Sequence, residues 1–484
     1  MISGVLGLGL ALGGIRIFDA ALADQGKPYW MTFTIDPIVI VFLMGICVGT
    51  AVVFGLAPAL HVSKTDVNEV MKEGGGRSGT SGIRARRWTG ALIVAEVVLT
   101  LVLLAGSGFM MRSFLALYRM DMGFDSSHLL TMRLNLPLAK YPQREPRIAV
   151  YQRLEERLRG VRAIQSSGLT TNTPLQGGFL KQLSVEGRAQ PDGVPVPEVT
   201  ALGISSGYLE TMRLPVVRGR AFTDQDGTPA SPTAIVNQRF VAMHFPGEDP
   251  LGRRIHLVDA GPPGPNQALP VDASIVGIVP NVRQRDFDKP DPDPIVYLPY
   301  RADPQRFSTL IVRTAAEPGT ITPLVREEMR LVEPDLPLFD IQTMDARLAQ
   351  MRWPMRVFGS MFTIFAGIAL LLSAVGLYAV TAYSVSQRTS EIGIRMALGA
   401  QPEQVLWLVL RRSLLQLAIG LPVGIAGAFG VGRLLQSLLV QTSARDPLTI
   451  AVIALVMVVV SVAACFWPAR KATRLDPVTA LRYE

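Results

Sequence analysis

The chain has 484 residues, a mean hydropathy of +0.31 and a net charge of +8 from 47 basic and 39 acidic residues. Much of the basic excess flanks apolar runs, where a nucleic-acid-binding surface would instead cluster it with aromatics on a soluble domain, so no nucleic-acid partner is expected. The two cysteines, Cys47 and Cys465, both lie in apolar runs, there is no CxxC or Cys/His spacing, and the four histidines are scattered; neither a disulfide framework nor a metal or other cofactor is expected.

Several runs of about 20 apolar residues are long enough to cross a bilayer. One central block is ordinary soluble-protein sequence, rich in Pro, Arg and Asp. The expected fold is an α-helical membrane protein with about six transmembrane helices and one large extracytoplasmic α+β domain. Residues 1–60 hold the first two spans, Ile2–Ile17 and a longer one opened by Asp36-Pro37. The first is short. A signal peptide is the rival reading, but the basic n-region is missing and Arg16 interrupts the end, so a genuine span, shortened at its N-terminus, is preferred.

Residues 61–87 form a basic cytoplasmic linker containing GGGRSGTSG, Gly74 to Gly82. Gly74 and Gly79 have the separation of a phosphate-binding loop, but the lysine is absent and no strand precedes them, so no nucleotide site is read there. Residues 88–112 make the third span. It carries Glu96 about two turns inside the apolar helix. An intramembrane acid invites a proton-relay hypothesis, but no second buried acid or histidine is present to receive the proton. Glu96 is therefore read as structural, facing the bundle or reaching towards the basic interface.

Residues 113–356 form the extracytoplasmic domain. Strands are expected at Leu129–Leu136, Thr233–Val236, Ala273–Val279, Ile295–Leu298, Thr309–Arg313 and Leu336–Ile341. Arg147–Arg159 is an amphipathic helix with Val150, Tyr151, Leu154 and Leu158 on one side. Further helices should begin near Ser205, Asn237, Thr320 and Thr343, residues that can cap. Gly- and Pro-rich stretches at 224–232 and 259–270 read as surface loops. Ser205-Ser206-Gly207 is not a nucleophile elbow, and His244 and His256 read as surface or core residues. With no catalytic constellation, a binding or mechanical domain is expected and not an enzyme.

Residues 357–484 hold three more spans. After the first comes a polar, amphipathic stretch, QRTSEIGIRMALGAQPEQ, Gln387 to Gln404. Thr389 or Ser390 can cap a helix whose first turn holds Glu391, where a carboxylate favours the helix dipole. Ile392, Ile394, Met396 and Leu398 supply an apolar side. Glu391 and Arg395 stand four apart in the favourable order for an ion pair. Gly399 is a helix stop and Pro402 suits the first turn of the next helix. By pattern alone this short helix either lies on the membrane surface without a partner or is a docking element.

The basic stretches 61–89, 381–412 and the C-terminal tail fall on one side when spans alternate, which makes that side cytoplasmic and places 113–356 outside. The chain also repeats itself at an offset of 410 residues, Asp36-Pro37 against Asp446-Pro447. Phe54 to Ala59 aligns with Ala464 to Ala469, Ser63 to Asp66 with Thr473 to Asp476, and Lys72 with Arg482. The end of one unit thus precedes a complete unit of span, outer domain and three spans; residues 1–60 are the remnant of the first.

This arrangement resembles the FtsX-like/MacB-like permeases of ABC transport systems, in their tandem-permease, acidobacterial-type form. The resemblance rests on Ser386 to Ala400 after the fourth span, on Phe245-Pro246-Gly247-Glu248-Asp249-Pro250-Leu251-Gly252-Arg253 and Gly219-Arg220-Ala221-Phe222 in the outer domain, and on the ending Pro468 to Ala472 with Asp476-Pro477 and Ala480 to Glu484. It implies a MacB-like periplasmic domain and an FtsX-like permease domain with a cytoplasmic coupling helix at 388–400. The ATPase-coupling residues it assigns are Arg388, Glu391, Ile392, Gly393, Ile394, Arg395, Ala397, Leu398 and Gly399. It also implies a non-catalytic permease in the bacterial inner membrane, C-terminus cytoplasmic, that turns hydrolysis by a cytoplasmic ABC ATPase into motion of the outer domain for efflux or envelope transport. Membrane lipid, a second permease copy, a periplasmic adaptor and an outer-membrane channel are the further partners such families use. The alternative it offers is an FtsX-like regulator of an extracytoplasmic cell-wall hydrolase.

Overall fold

A computed structural model describes residues 2–23, 34, 36–63, 80–188, 193, 195–260, 270–285, 289, 291–386, 392, 394–396, 398, 400–436, 439 and 446–473. They fall into two compact units, Ala116–Met351, and Met1–Leu115 together with Arg352–Glu484.

The second of these is helical. It contains α1 (Ile2–Ala23), α2 (Pro37–Ser63), α3 (Thr80–Arg119, in its part up to Leu115), α8 (Met344–Ser386, from Arg352), α9 (Pro402–Leu434) and α10 (Pro447–Ala472). Four helical stretches among the described residues are long and apolar enough to cross a membrane: Gly90–Arg119, Met344–Ser386, Glu403–Leu434 and Pro447–Lys471. Pro37–Val52 is a shorter apolar helix. Ile93 and Val97 of α3, Leu377 of α8, Leu417 of α9 and Met457 and Cys465 of α10 form one of the bundle's buried clusters. Close approach is set by glycine: a Cβ at Gly420 of α9 would stand 2.7 Å from the Val97 side chain. Asp446 opens α10, accepting from the Thr449 amide at 2.8 Å, and Asp36 opens α2, accepting from the Ile38 amide at 3.0 Å. The two Asp-Pro pairs of the repeat thus do the same local job.

The other unit is α+β, with eleven strands in a single sheet. Its strands are β1 (Leu129–Asn135), β2 (Ile164–Thr170), β3 (Phe179–Val185), β4 (Glu198–Ile204), β5 (Arg218–Gly219), β6 (Thr233–Asn237), β7 (Arg254–Asp259), β8 (Val271–Val279), β9 (Ile295–Pro299), β10 (Phe307–Thr314) and β11 (Phe339–Thr343). The main path runs β11-β1-β10-β2-β4-β3-β7-β8-β6-β9. β4 also pairs in parallel with β9, from Thr200↔Ile295 to Ile204↔Pro299. That second pairing closes β4-β3-β7-β8-β6-β9 into a six-stranded barrel, which removes two sheet edges. Its core takes alternate residues from all six strands, among them Leu183, Val199, Val236, Leu257, Ile275 and Val296. Of the remaining strands, β5 pairs with β8 off this path, and β2-β10-β1-β11 extend as an open sheet. One face is covered by α4 (Arg144–Arg159) and α7 (Thr322–Val332), through Leu154, Leu158, Val325 and Met329. Two short helices complete the unit, α5 (Tyr208–Thr211) and α6 (Gln238–His244).

The expected strands at Thr233, Ala273, Ile295 and Thr309 lie within β6, β8, β9 and β10. The last expected strand is displaced: Leu336 is buried ahead of it, and β11 starts at Phe339. Asn237 caps α6, accepting from the Phe240 amide at 3.0 Å, and Thr343 Oγ1 accepts from the Ala346 amide at 3.1 Å at the start of α8. Ser205 does not start a helix. Its hydroxyl accepts from the Leu169 amide at 2.9 Å, and α5 begins three residues later, after Gly207. Thr320 sits in a 3-10 turn, Pro318–Ile321, that precedes α7. β2, β3, β4, β5 and β7 were not anticipated. β2 reads IQSSGLT because α5 lies directly on its backbone: a Cβ on Gly168 would sit 2.5 Å from the Tyr208 Cα.

Candidate functional site

The stretch between α8 and α9 is built on one buried anchor. Ile392 is 1% exposed and packs with Val405 of α9, Val385 of α8 and Met396. Residues 392 and 394–396 are helical. The turn closes with Leu398 N–H to Ile394 O at 3.0 Å and Ala400 N–H to Arg395 O at 3.0 Å, the second spanning the six residues typical of a helix C-terminal motif. Pro402 then opens α9 as expected, and Gln404 Oε1 accepts from the Gln401 amide at 3.3 Å. That last contact went unread in the sequence, although the Gln-x-x-Gln spacing signals it.

The geometry splits the apolar side. Ile392 and Met396 face inward, whereas Ile394 is 47% and Leu398 82% exposed. Of the remaining assigned residues, Arg395 is described, while Arg388, Glu391, Gly393, Ala397 and Gly399 lie outside the described residues, as do Thr389 and Ser390 and hence the expected cap and Glu391–Arg395 pair. Two exposed aliphatic side chains held over a buried one make a small apolar surface that a protein partner can cover.

Glu96, in α3, lies against α8. A Cβ on Gly376 would meet its Oε2 at 2.6 Å, so the carboxyl group occupies space that only glycine leaves open.

In the outer unit the two sequence motifs are structural. Asp226 has a side chain only 1% exposed and is held by Arg220 through Nη1 at 2.7 Å and Nη2 at 2.9 Å. The Thr223 amide (2.7 Å) and hydroxyl (2.8 Å), the Thr233 hydroxyl (3.0 Å) and the Ser231 hydroxyl (3.3 Å) donate to it as well. Burial works against the Asp226 charge, but Arg220, Thr223 and Thr233 outweigh it and hold the carboxyl well below the usual range. The loop at 224–232 is thus pinned from within; the 259–270 loop lies mostly outside the described residues. The Phe245–Arg253 motif is a turn with Gly247 and Gly252 both near φ 78°. Its Glu248 pairs with Arg188 at 2.7 Å and its Asp249 with Arg218 at 2.8 Å. His244 lies against Phe240 at a tilt of 52° with ring centroids 4.8 Å apart, and His256 meets Asp272 at 2.7 Å. Among the described residues no group of His, Cys, Asp or Glu is placed to hold a metal ion.

A cleft of about 960 Å³ in this unit is lined by Arg144, Arg147, Thr228, Arg301, Asp303 and Phe307, among others. Two of its arginines are already committed to the backbone. Arg147 donates to Tyr141 O and Pro142 O, both at 2.9 Å, and Arg144 to Arg301 O at 3.2 Å.

Comparison with known proteins places these features. Residues 91–332 match the profile of the MacB-like periplasmic core domain, and residues 363–477 that of the FtsX-like permease C-terminal domain. An uncharacterised ABC transporter permease, YknZ of Bacillus subtilis, is 28% identical over 298 residues, covering 59% of this chain and 70% of its own length. The macrolide export ATP-binding/permease protein MacB of Syntrophobacter fumaroxidans is 25% identical over 336 residues, 58% of this chain and 47% of its own. The pyoverdine export ATP-binding/permease protein PvdT of Pseudomonas putida is 27% identical, over 58% and 42% respectively. The chain therefore spans less than half the length of the last two relatives.

Proposed function

Because this chain belongs to the family of FtsX-like and MacB-like ABC transporter permeases, we propose that it is a non-catalytic permease subunit that couples ATP hydrolysis by a partner ATPase to motion of its extracytoplasmic domain. In this reading the chain crosses the inner membrane about six times, with the stretch at 388–400 and the C-terminus in the cytoplasm and the Ala116–Met351 unit outside. The work done is efflux or envelope transport, and the relatives named for macrolide and pyoverdine export indicate the range of cargo to test first. A second permease copy, a periplasmic adaptor and an outer-membrane channel belong to the same reading.

The observation that carries it is the split apolar face of the intervening stretch. Ile392 is spent on anchoring, while Ile394 and Leu398 remain exposed beside it. A helix that only lay on the membrane would tolerate polar changes at its rim far less selectively than a helix that docks on a protein. Leu398→Asp and Ile394→Asp, made in the full chain in native membranes, should reduce co-purification of an ABC ATPase and its stimulated hydrolysis by tenfold or more while membrane levels of the chain hold. ATPase capture and stimulation that survive both changes would remove the docking role.

A further inference from the structure

Several polar side chains inside the helical unit close on their own helix. Ser360 Oγ donates to Arg356 O at 2.9 Å, and Thr363 Oγ1 to Gly359 O at 2.8 Å. Ser461 of α10 does not. It is only 4% exposed, and its hydroxyl has no hydrogen-bond partner among the described residues. A buried hydroxyl left unbonded is costly, so its direction matters.

Ser461 lines a void of about 10 Å³ together with Ser413 of α9, Cys465 one turn further along α10, and the apolar side chains of Leu377, Leu410 and Leu417. That is about the space one water molecule requires. The polar atoms around it are partly bonded to each other. Thr381 Oγ1 of α8 lies 3.3 Å from Ser413 Oγ and donates to Cys465 Sγ at 3.5 Å.

Counting protons shows what is left over. A hydroxyl has one donor and two acceptor positions. With the Thr381 proton directed at Cys465, the Ser413 proton is the one that joins Ser413 to Thr381. Ser413 Oγ then keeps acceptor capacity, and Ser461 keeps its proton. We propose that the void is a binding site for a single ordered water, which accepts the Ser461 proton and donates one of its own to Ser413 Oγ. The site joins α10 to α9, and through Ser413 to Thr381 of α8. In a bundle with no hydrophobic effect between its helices, such a bridge holds spans together while remaining exchangeable. The inference is independent of what the permease moves or which ATPase drives it.

Two measurements on the full chain in detergent micelles decide it. All five tryptophans, at 30, 88, 353, 407 and 467, fall outside the Ala116–Met351 stretch of the sequence, so tryptophan fluorescence on heating follows the helical unit and not the outer one. If a water bridges the serines, Ser461→Ala lowers its melting temperature by several degrees, Ser413→Ala does likewise, and the double variant melts little below either single one. If the void is dry, Ser461→Ala removes an unbonded hydroxyl, and the melting temperature stays level or rises; that outcome, or losses that simply add, overturns the site. A map of the unmodified protein sharp enough to show ordered waters should carry a peak within hydrogen-bond distance of Ser461 Oγ and Ser413 Oγ, and a map without one also overturns it.

Discussion

Asp226 and Glu155 are both buried carboxylates of the outer unit, at 2% and 5% exposure, and they have opposite fates. Asp226 receives bonds on both oxygens from Arg220, Thr223, Ser231 and Thr233. Its charge is therefore more stable in the folded chain than in water. Glu155, on α4, has Oε1 without a partner among the described residues; the Ser205 hydroxyl and the charges of Arg159 and Arg301 favour its ionised form, and Asp224 opposes it. Burial pushes its carboxyl up to about 7. Low exposure alone does not decide whether an acid is charged: burial pushes both carboxyls up, and the donors aimed at Asp226 outweigh it where the fewer ones at the more deeply enclosed Glu155 do not.

The largest effect should follow from breaking the satisfied site. Asp226→Ala leaves the Thr223 amide, three hydroxyls and one guanidinium without their acceptor. Removing one partner of a buried pair costs about 3–5 kcal/mol, and because Arg220 is half exposed and can turn to water, the lower end is expected here. The outer unit's transition in calorimetry of the full chain should fall accordingly, and hydrogen exchange should quicken first at Thr223 and along β6. An unchanged transition would mean that the network does not stabilise the fold.

The same contrast explains what could be read in advance. The membrane helices and the strands β6, β8, β9 and β10 were legible because their residues are apolar with the right period and their ends carry Asp-Pro, Asn237 or Thr343. The family motif around Gly219–Phe222 was legible as a pattern, but its purpose was not, since Asp226 lies beyond the quoted residues and acts through a fold of the loop. β2, β3 and β4 were missed because their composition answers to neighbours distant in sequence. Gly168 is small for Tyr208 to approach, and the fully buried Lys181 of β3 is tolerated only because Asp259, at the end of β7, lies 2.7 Å from it. In the stretch before α9 the apolar residues were legible, and their division into an anchoring Ile392 and exposed Ile394 and Leu398 was not, because it depends on where Val385 and Val405 stand.

Glu155 sharpens the comparison through pH. Its carboxyl is raised in the folded chain above its ordinary value of 4.5, so the folded state holds the proton more tightly than the unfolded chain does. Stability is then unaffected by this group below about 4.5, falls as pH rises towards 7, and levels off above that, by about 3 kcal/mol at most. Asp226 contributes the opposite slope at much lower pH. Glu155→Gln keeps the shape and removes the proton, so it should flatten the decline between pH 5 and 7 and make the outer unit more stable than the parent at pH 8. Calorimetric transitions across that range read it directly. A parent that does not lose stability over the window would show that Arg159 or Arg301 moves in to pair with the ionised group.

The smallest expected effect concerns a polar contact that water can replace. Thr343 Oγ1 accepts from the Ala346 amide at 3.1 Å in an exposed setting, at the first turn of α8. Thr343→Ala deletes the acceptor, but the freed N–H can turn to solvent, so the loss should stay near 1 kcal/mol. Asn237 makes the same capping bond to the Phe240 amide at 3.0 Å, yet it is fully buried, and its Oδ1 also accepts from the Ile295 amide at 2.9 Å while its Nδ2 donates to Asp293 O at 2.8 Å. Asn237→Ala should therefore cost clearly more than Thr343→Ala, by the price of two further buried groups left unbonded. Equal losses at the two caps would undo the distinction drawn between Asp226 and Glu155, because it too rests on what a buried group loses when water cannot reach it.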